Sequence, residues 1–411
     1  MTGRLTSAAH RLVYIVQTFW APILAGLVAL TLGVGNIYVT SDSNAEDSAA
    51  RCVSDTHSAT VPDSGVWFGV SVDWQETSLA EYSENLGHHP AVTVWFTGFP
   101  YDSTARTQLR EAVEEIHSEG EVMLLTLQPD NGLEAITDEV AATFAADLAE
   151  FNAAGVPVIV RFGHEMNGSW YPWAQQPALY RDTFSRVAAA VHRTAPGSAM
   201  MWAPTYGGGY PFAEGEYSPV PGTADFIALD SDRNGALTTS DDPYAPFYPG
   251  DDAVDWVGMS LYHWGGRFPW GENELPEPGK FADQLTGSYV GANGDDSALP
   301  DFYDVYGRQR GKPVSIPETA ALYNSGITTG ADALAIKEAW WSQIFDAANQ
   351  ARFPQLKMVN WLEWNRFEPE AEAAVDWTVT ADPTVRESFT QALPEWLRYG
   401  PDSPCRPEST S

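Results

Sequence analysis

The chain has 411 residues, 44% of them hydrophobic and 12% aromatic, enough for one large domain or two ordinary ones with a sizeable core. Its 55 acidic and 22 basic side chains leave a net charge of −33. No basic stripe exists to neutralise phosphates, which excludes nucleic-acid binding; a neutral partner on a very soluble surface is expected instead.

Residues Leu12 to Ser41 carry no charge, follow Arg4 and Arg11, and precede Asp42, Glu46 and Asp47. Such a run spans a bilayer as a helix of about 20 residues. The positive flank places everything after it outside the cytoplasm. Residues 1–41 are therefore expected to form a cytoplasmic stub with a signal anchor, or a signal peptide, leaving the rest membrane-anchored or secreted. Residues 42–62 are small and polar and read as a linker, 63–400 as the main domain and 401–411 as a tail. Cys52 and Cys405 bracket that domain. A closed barrel brings its ends together, so a disulfide between them is expected in an oxidising compartment.

From residue 63 a short apolar strand, a loop and an amphipathic helix alternate. The strands are predicted at 66–73, 91–96, 122–127, 156–162, 199–204, 254–261, 313–317 and 357–362. Helices are predicted at 104–119, 138–154, 177–194, 331–350 and 384–397, where apolar residues recur at spacings of three and four. Gly120, Gly155 and Gly311 stand where helices should stop. Eight such units predict an α/β fold, the (β/α)8 TIM barrel. The alternative is a doubly wound open sheet, but no Gly-x-Gly-x-x-Gly follows an early strand. Gly207-Gly208-Gly209 also lacks the Gly-Lys-Ser/Thr continuation of a phosphate loop.

Two strand ends carry chemistry. The fourth runs out as Arg161-Phe162-Gly163-His164-Glu165-Met166-Asn167-Gly168-Ser169-Trp170-Tyr171-Pro172-Trp173, and the seventh as Pro313-Val314-Ser315-Ile316-Pro317-Glu318. In a barrel these ends face each other across the mouth, where catalytic side chains gather. Two glutamates placed so are the minimum equipment for cleaving a glycosidic bond. One must keep its proton to release the leaving group, which desolvation favours; the other must stay ionised. Glu165 precedes several aromatic rings, which suits the acid. Arg161 shares strand parity with Glu165 and is a donor to either carboxylate, and Tyr262, ending the sixth strand, is placed to reach Glu318. His164-Glu165 opens like a zinc protease motif, but the fourth residue after His164 is Gly168, and the second ligand is missing.

The sixteen Trp exceed what packing needs. Trp170, Trp173, Trp264 and Trp361 stand at or beyond strand ends, where indole faces suit the apolar sides of sugar rings. Trp361 is the expected floor of the cleaved subsite, and His164 and Asn167 are further expected substrate contacts. Between strands five and six, Asp230-Ser231-Asp232-Arg233-Asn234-Gly235-Ala236-Leu237-Thr238-Thr239-Ser240-Asp241 has the spacing of a twelve-residue calcium loop. Asp230, Asp232, Asn234, the Ala236 carbonyl, Thr238 and Asp241 are the candidate ligands of a structural Ca2+. The alternative is an Asx-rich turn.

The segment 161–170, the run Tyr248-Pro249-Gly250-Asp251-Asp252-Ala253-Val254-Asp255-Trp256-Val257-Gly258 and the Glu318 strand resemble glycoside hydrolase family 26. The resemblance covers most of residues 65–400. It implies a β/α barrel, mostly of endo-β-1,4-mannanases acting with retention, with no cofactor for catalysis. It further implies Glu165 as acid/base, Glu318 as nucleophile, and His164, Tyr262 and Trp361 in contact with substrate or nucleophile. Many mannanases of the family continue as Trp-Phe-Trp-Trp where this chain has Trp170-Tyr171-Pro172-Trp173. Mixed-linkage β-glucan and β-1,3-xylan therefore stand beside mannan as expected substrates. A barrel that binds carbohydrate without cleaving it is the alternative of another class. The expected partner is a neutral polysaccharide, met by a monomer.

Overall fold

In the computed structural model, which describes residues 61–213 and 215–400, eight apolar segments form one closed parallel sheet. They are β1 (Val66–Val72), β2 (Val92–Gly98), β3 (Val122–Gln128), β4 (Val158–Phe162), β5 (Ala199–Trp202), β6 (Trp256–Gly258), β7 (Val314–Thr319) and β8 (Leu356–Glu363). Each strand pairs with its sequence neighbour, and β8 closes on β1 from Trp67 opposite Met358 to Val72 opposite Glu363. This is the predicted (β/α)8 barrel. Strands covered on both faces read as near-continuous apolar runs rather than as alternating ones, and β3 and β4 are such runs.

Alternate residues fill the barrel interior, where Trp67, Val94, Leu124, Ile159, Met201, Trp256 and Met358 pack as one cluster. The Trp67 and Trp256 rings stack at 6.3 Å. Gly69 is required on β1, because a Cβ there would lie 1.9 Å from the Asn360 side-chain oxygen and 2.6 Å from the Val92 carbonyl.

The outer faces are covered by α1 (Leu79–Leu86), α2 (Ser103–Ser118), α3 (Asp138–Ala153), α4 (Pro177–Thr194), α5 (Ala224–Leu229), α6 (Lys280–Leu285), α7 (Ala333–Ile344), α8 (Ala347–Arg352) and α9 (Pro383–Ala392). Asp102 caps α2 by accepting from the Thr104 and Ala105 N–H groups, and Thr137 caps α3. The predicted helix 331–350 is broken in two, because Asp346 leaves the helix and caps α8 through the Ala348 N–H. The helix predicted to reach 397 stops at Ala392, since Leu393 precedes Pro394 and takes an extended conformation.

The predicted anchor at 12–41 and both cysteines, Cys52 and Cys405, lie outside the described residues. Among the described residues no helix is long and apolar enough to cross a membrane.

Candidate active site

β4 sends Arg161 into the barrel, where its side chain is fully buried. Its Nε donates to the Thr126 hydroxyl of β3 at 2.9 Å, its guanidinium carbon lies 5.3 Å from the Phe96 ring centre, and one terminal nitrogen donates to Glu318. Glu318, on β7, also accepts from the Tyr262 hydroxyl at 2.6 Å. Tyr262 is brought there because the chain beyond β6 stays extended beside β7: the Leu261 N–H donates to the Glu318 carbonyl, and the His263 N–H to that of Ala320.

After β4 the chain turns sharply. Gly163 has φ 51° and Glu165 φ 54°, a left-handed conformation that a non-glycine residue adopts at a cost of about 1–3 kcal/mol. The turn is held by the Glu165 N–H on the Ala203 carbonyl at 2.8 Å and by the Trp173 indole N–H on the His164 carbonyl at 2.7 Å. Trp170, within the same turn, donates its indole N–H to Glu165 at 3.1 Å.

The two carboxyls have opposite leanings. Burial, then the negative charge of Glu318, pushes Glu165 up to about 7, against the charge of Arg161 and the hydrogen bond from Trp170. Burial would also raise Glu318, but the Arg161 charge and the Tyr262 hydrogen bond outweigh it and hold that carboxyl below its usual range. His164 is pushed down to about 3 by burial and then by Arg161, so its imidazole is neutral at ordinary pH. The charge of Glu318 acts on Glu165, and their surroundings drive the proton affinities of the two carboxyls apart.

Several expected sugar contacts lie elsewhere. The Asn167 side chain is wholly buried and bonded at both ends to Thr205, accepting from its N–H and donating to its carbonyl, each at 2.9 Å. Trp173 is likewise buried, stacked 4.3 Å behind Tyr171. Trp361 is not the floor of the cleft. Strand alternation puts Met358 inside the barrel and turns Trp361 outward, 5.4 Å from Phe389 of α9, with its N–H on the Trp377 carbonyl.

Trp170, Tyr262 and Trp264 keep partly exposed rings. Composition and spacing did not reveal Trp377, whose ring lies 5.4 Å from Tyr262 and 4.9 Å from Trp264. Nor did they reveal Arg366, whose guanidinium covers Trp364 at 4.9 Å. Thr126 carried a usable signal, as a polar residue inside the apolar run of β3.

Away from the cleft, carboxylate oxygens of Asp230, Asp232 and Asp241 lie within 4.8 Å of one another. Asp230 accepts from the Asn234 and Gly235 N–H groups, Asp241 from those of Ser231 and Thr238, and Asn234 from that of Ala236. Thr238 offers its hydroxyl oxygen to the Ser240 N–H. This set of hard oxygens suits Ca2+, although the amide bonds would also stabilise a metal-free turn.

Barrels presenting an acid and a carboxylate to one cleft at the C-terminal ends of their strands include the glycoside hydrolases. Residues 90–267, from just before β2 to the loop bearing Tyr262 and Trp264, match the family described as Glycosyl hydrolase family 26. That segment is similar to the family; it is less than half of the chain. Endoglucanase H of Acetivibrio thermocellus is 22% identical over 215 residues, covering 50% of this chain and 20% of that protein. The chain thus aligns with about a fifth of that relative. Two structures of endo-β-1,4-mannanase from Cellulomonas fimi share the fold. The double mutant is 14% identical with a TM-score of 0.51, covering 87% of this chain and 77% of its own. The modular enzyme is 15% identical with a TM-score of 0.50, covering 86% and 76%. Glu318 lies beyond the matched segment.

Proposed function

We propose that the chain is a retaining endo-β-glycosidase acting on a neutral polysaccharide, β-1,4-mannan first, with Glu165 as acid/base and Glu318 as nucleophile. One observation carries the glycosidase reading: the raised Glu165 and the depressed Glu318 are electrostatically linked, as an acid and a carboxylate flanking one bond must be, while retention is taken from the family resemblance. Glu318 attacks the anomeric carbon while Glu165 passes its proton to the departing glycosidic oxygen. That leaves a glycosyl ester on Glu318 and a carboxylate at Glu165. The latter then takes a proton from water, whose oxygen displaces Glu318 and restores the original anomeric configuration. Arg161 and Tyr262 hold the nucleophile ionised and oriented. No catalytic cofactor is needed.

Mannan is favoured by the sequence resemblance, with the Cellulomonas fimi mannanases sharing the fold. A second substrate, mixed-linkage β-glucan, is favoured by the departure at Tyr171-Pro172 and by the name of the Acetivibrio relative. Incubation with mannan, galactomannan, lichenan and β-1,3-xylan, with NMR of the first-formed anomer, tests the reading. Internal cleavage of mannan with retained configuration is expected. An inverted product would remove Glu318 as nucleophile, and no cleavage of any polymer would leave a barrel that only binds.

We further propose that the domain acts outside the cytoplasm, on the strength of the uncharged run at 12–41, and that the 230–241 loop takes a structural Ca2+. Calorimetric titration of chelated protein tests the latter, and no heat of binding would reduce the loop to an Asx-rich turn.

A further inference from the structure

Phe268 is 62% exposed on the loop after β6. A single exposed apolar side chain needs no explanation, but this one ends a series of rings that begins at the proposed nucleophile. Tyr262 donates to Glu318, and the Trp264 ring lies 6.0 Å from that of Tyr262. The Trp270 indole covers Gly265, where an added Cβ would lie 3.7 Å from it. Phe268 meets Trp270 edge to face at 5.8 Å.

The loop bearing these rings is braced on several sides. Lys280, 4% exposed, donates its ammonium to the Gly265 carbonyl at 2.9 Å. The Gly266 N–H donates to the Glu274 carboxylate at 2.7 Å, and a His263 ring nitrogen meets the Glu274 carbonyl at 2.8 Å. The Phe268 N–H reaches the Asn293 side chain, and Arg267 the Ala292 carbonyl, each at 3.3 Å. Burying an ammonium to fix a loop is costly unless it is well paired. A fixed ring binds with less loss of freedom than a mobile one.

We propose that Phe268 and Trp270 form a distal sugar subsite that stacks on a neutral β-glycan chain beyond the units held at Glu165 and Glu318. This rests on the glycosidase reading. The neutral class follows from the net charge of −33, which disfavours anionic polymers, and from ring faces suited to the apolar sides of sugars.

The test uses the full chain made inert by Glu318→Gln, with or without Phe268→Ala, titrated calorimetrically with manno- and cello-oligosaccharides from two to six units. Affinity in the inert parent should climb with length. Phe268→Ala should weaken the longest oligomers by about twofold to tenfold and the dimer far less, and Phe268→Tyr should restore the loss. An equal loss at every length, or none, overturns the subsite. If the length dependence is equal in both proteins while the unaltered chain still hydrolyses polymer, the subsite fails and the glycosidase reading stands. If no oligomer binds and no polymer is cleaved, both fail.

Discussion

The guanidinium of Arg161 on β4 is paired with the carboxylate of Glu318 on β7, while its Nε is held by Thr126 of β3. The neighbouring strands β3 and β4 are thereby tied to β7, which is remote from both in sequence. One terminal nitrogen of Arg161 has no partner among the described residues, so the guanidinium keeps a donor in reserve beside the cleft.

Replacing Arg161 with Met should therefore act on both stability and pH dependence. Glu318 would be left buried without its charge partner, keeping only the Tyr262 hydrogen bond, at a cost of about 3–5 kcal/mol at neutral pH. Its depressed pKa would rise, moving the acidic limb of kcat/KM to higher pH. Because the native pKa lies below the unfolded value of about 4.3, the pair's contribution is complete above that value. It is lost as pH falls through the native pKa. Urea unfolding at pH 7 and pH 3 should show a large gap between parent and variant at the first and a smaller one at the second. An unchanged acidic limb would separate Arg161 from the ionisation of Glu318.

Glu165 should titrate near 7 in the free protein and set the basic limb of the rate profile. Part of its elevation comes from the charge of Glu318. Glu318→Gln should thus lower the Glu165 pKa, with Arg161 left to pull further in the same direction. Carbon-detected NMR of the labelled carboxyl can follow this directly. Glu165→Ala should slow polysaccharide hydrolysis by about 10²–10⁴-fold, and much less for an aryl glycoside whose leaving group needs no proton. Equal losses on both substrates would deny Glu165 the acid role.

Asn167 provides a contrasting case next to the acid. With both ends of its amide bonded to Thr205, Asn167→Ala should lower stability by about 1–3 kcal/mol by leaving those backbone groups unpaired. The urea midpoint should fall. A direct contact with sugar would instead raise KM and leave the midpoint where it is.

The barrel was legible because strands buried on both faces are dense in β-branched and aromatic residues and return at regular intervals. Helices α5 and α6, of six residues each, are too short to show a helical period. Glu165 and Glu318 could be found because each ends an apolar strand, and Tyr262 because it ends the next strand around. Trp361 misled for the opposite reason. Standing on a strand places a residue at the barrel wall, but only the alternation beginning at Met358 tells inside from outside. Trp377 reaches the cleft through a loop after the last strand, where no period applies. The pairing of Asn167 with Thr205 is a contact between loops, and local sequence contains nothing that specifies it.

Glu121, at the start of β3 and 3% exposed, offers a test of burial that does not touch the chemistry. One of its oxygens accepts from the Thr93 hydroxyl, and the other has no partner among the described residues. Burial first, then the nearby charges of Glu119 and Glu115, pushes its pKa up to about 8, against the Thr93 bond. In the unfolded chain the value is about 4.3. The folded protein therefore binds the extra proton between these limits, so this residue's contribution to stability is complete below about pH 4.3 and is lost as pH rises through 8. Glu121→Gln carries no charge at any pH and should remove that part of the slope. Melting temperatures at pH 5 and pH 9 should converge in the variant, with the gain at pH 9 on the order of ten degrees, given about 1.4 kcal/mol per pH unit between pH 5 and 8 and about 2–4 °C per kcal/mol for large domains. Glu165 contributes a slope of the same sign up to about 7, but it is present in both proteins and cancels from their difference. Parallel melting profiles for parent and variant from pH 5 to pH 9 would mean that Glu121 is already ionised inside the fold.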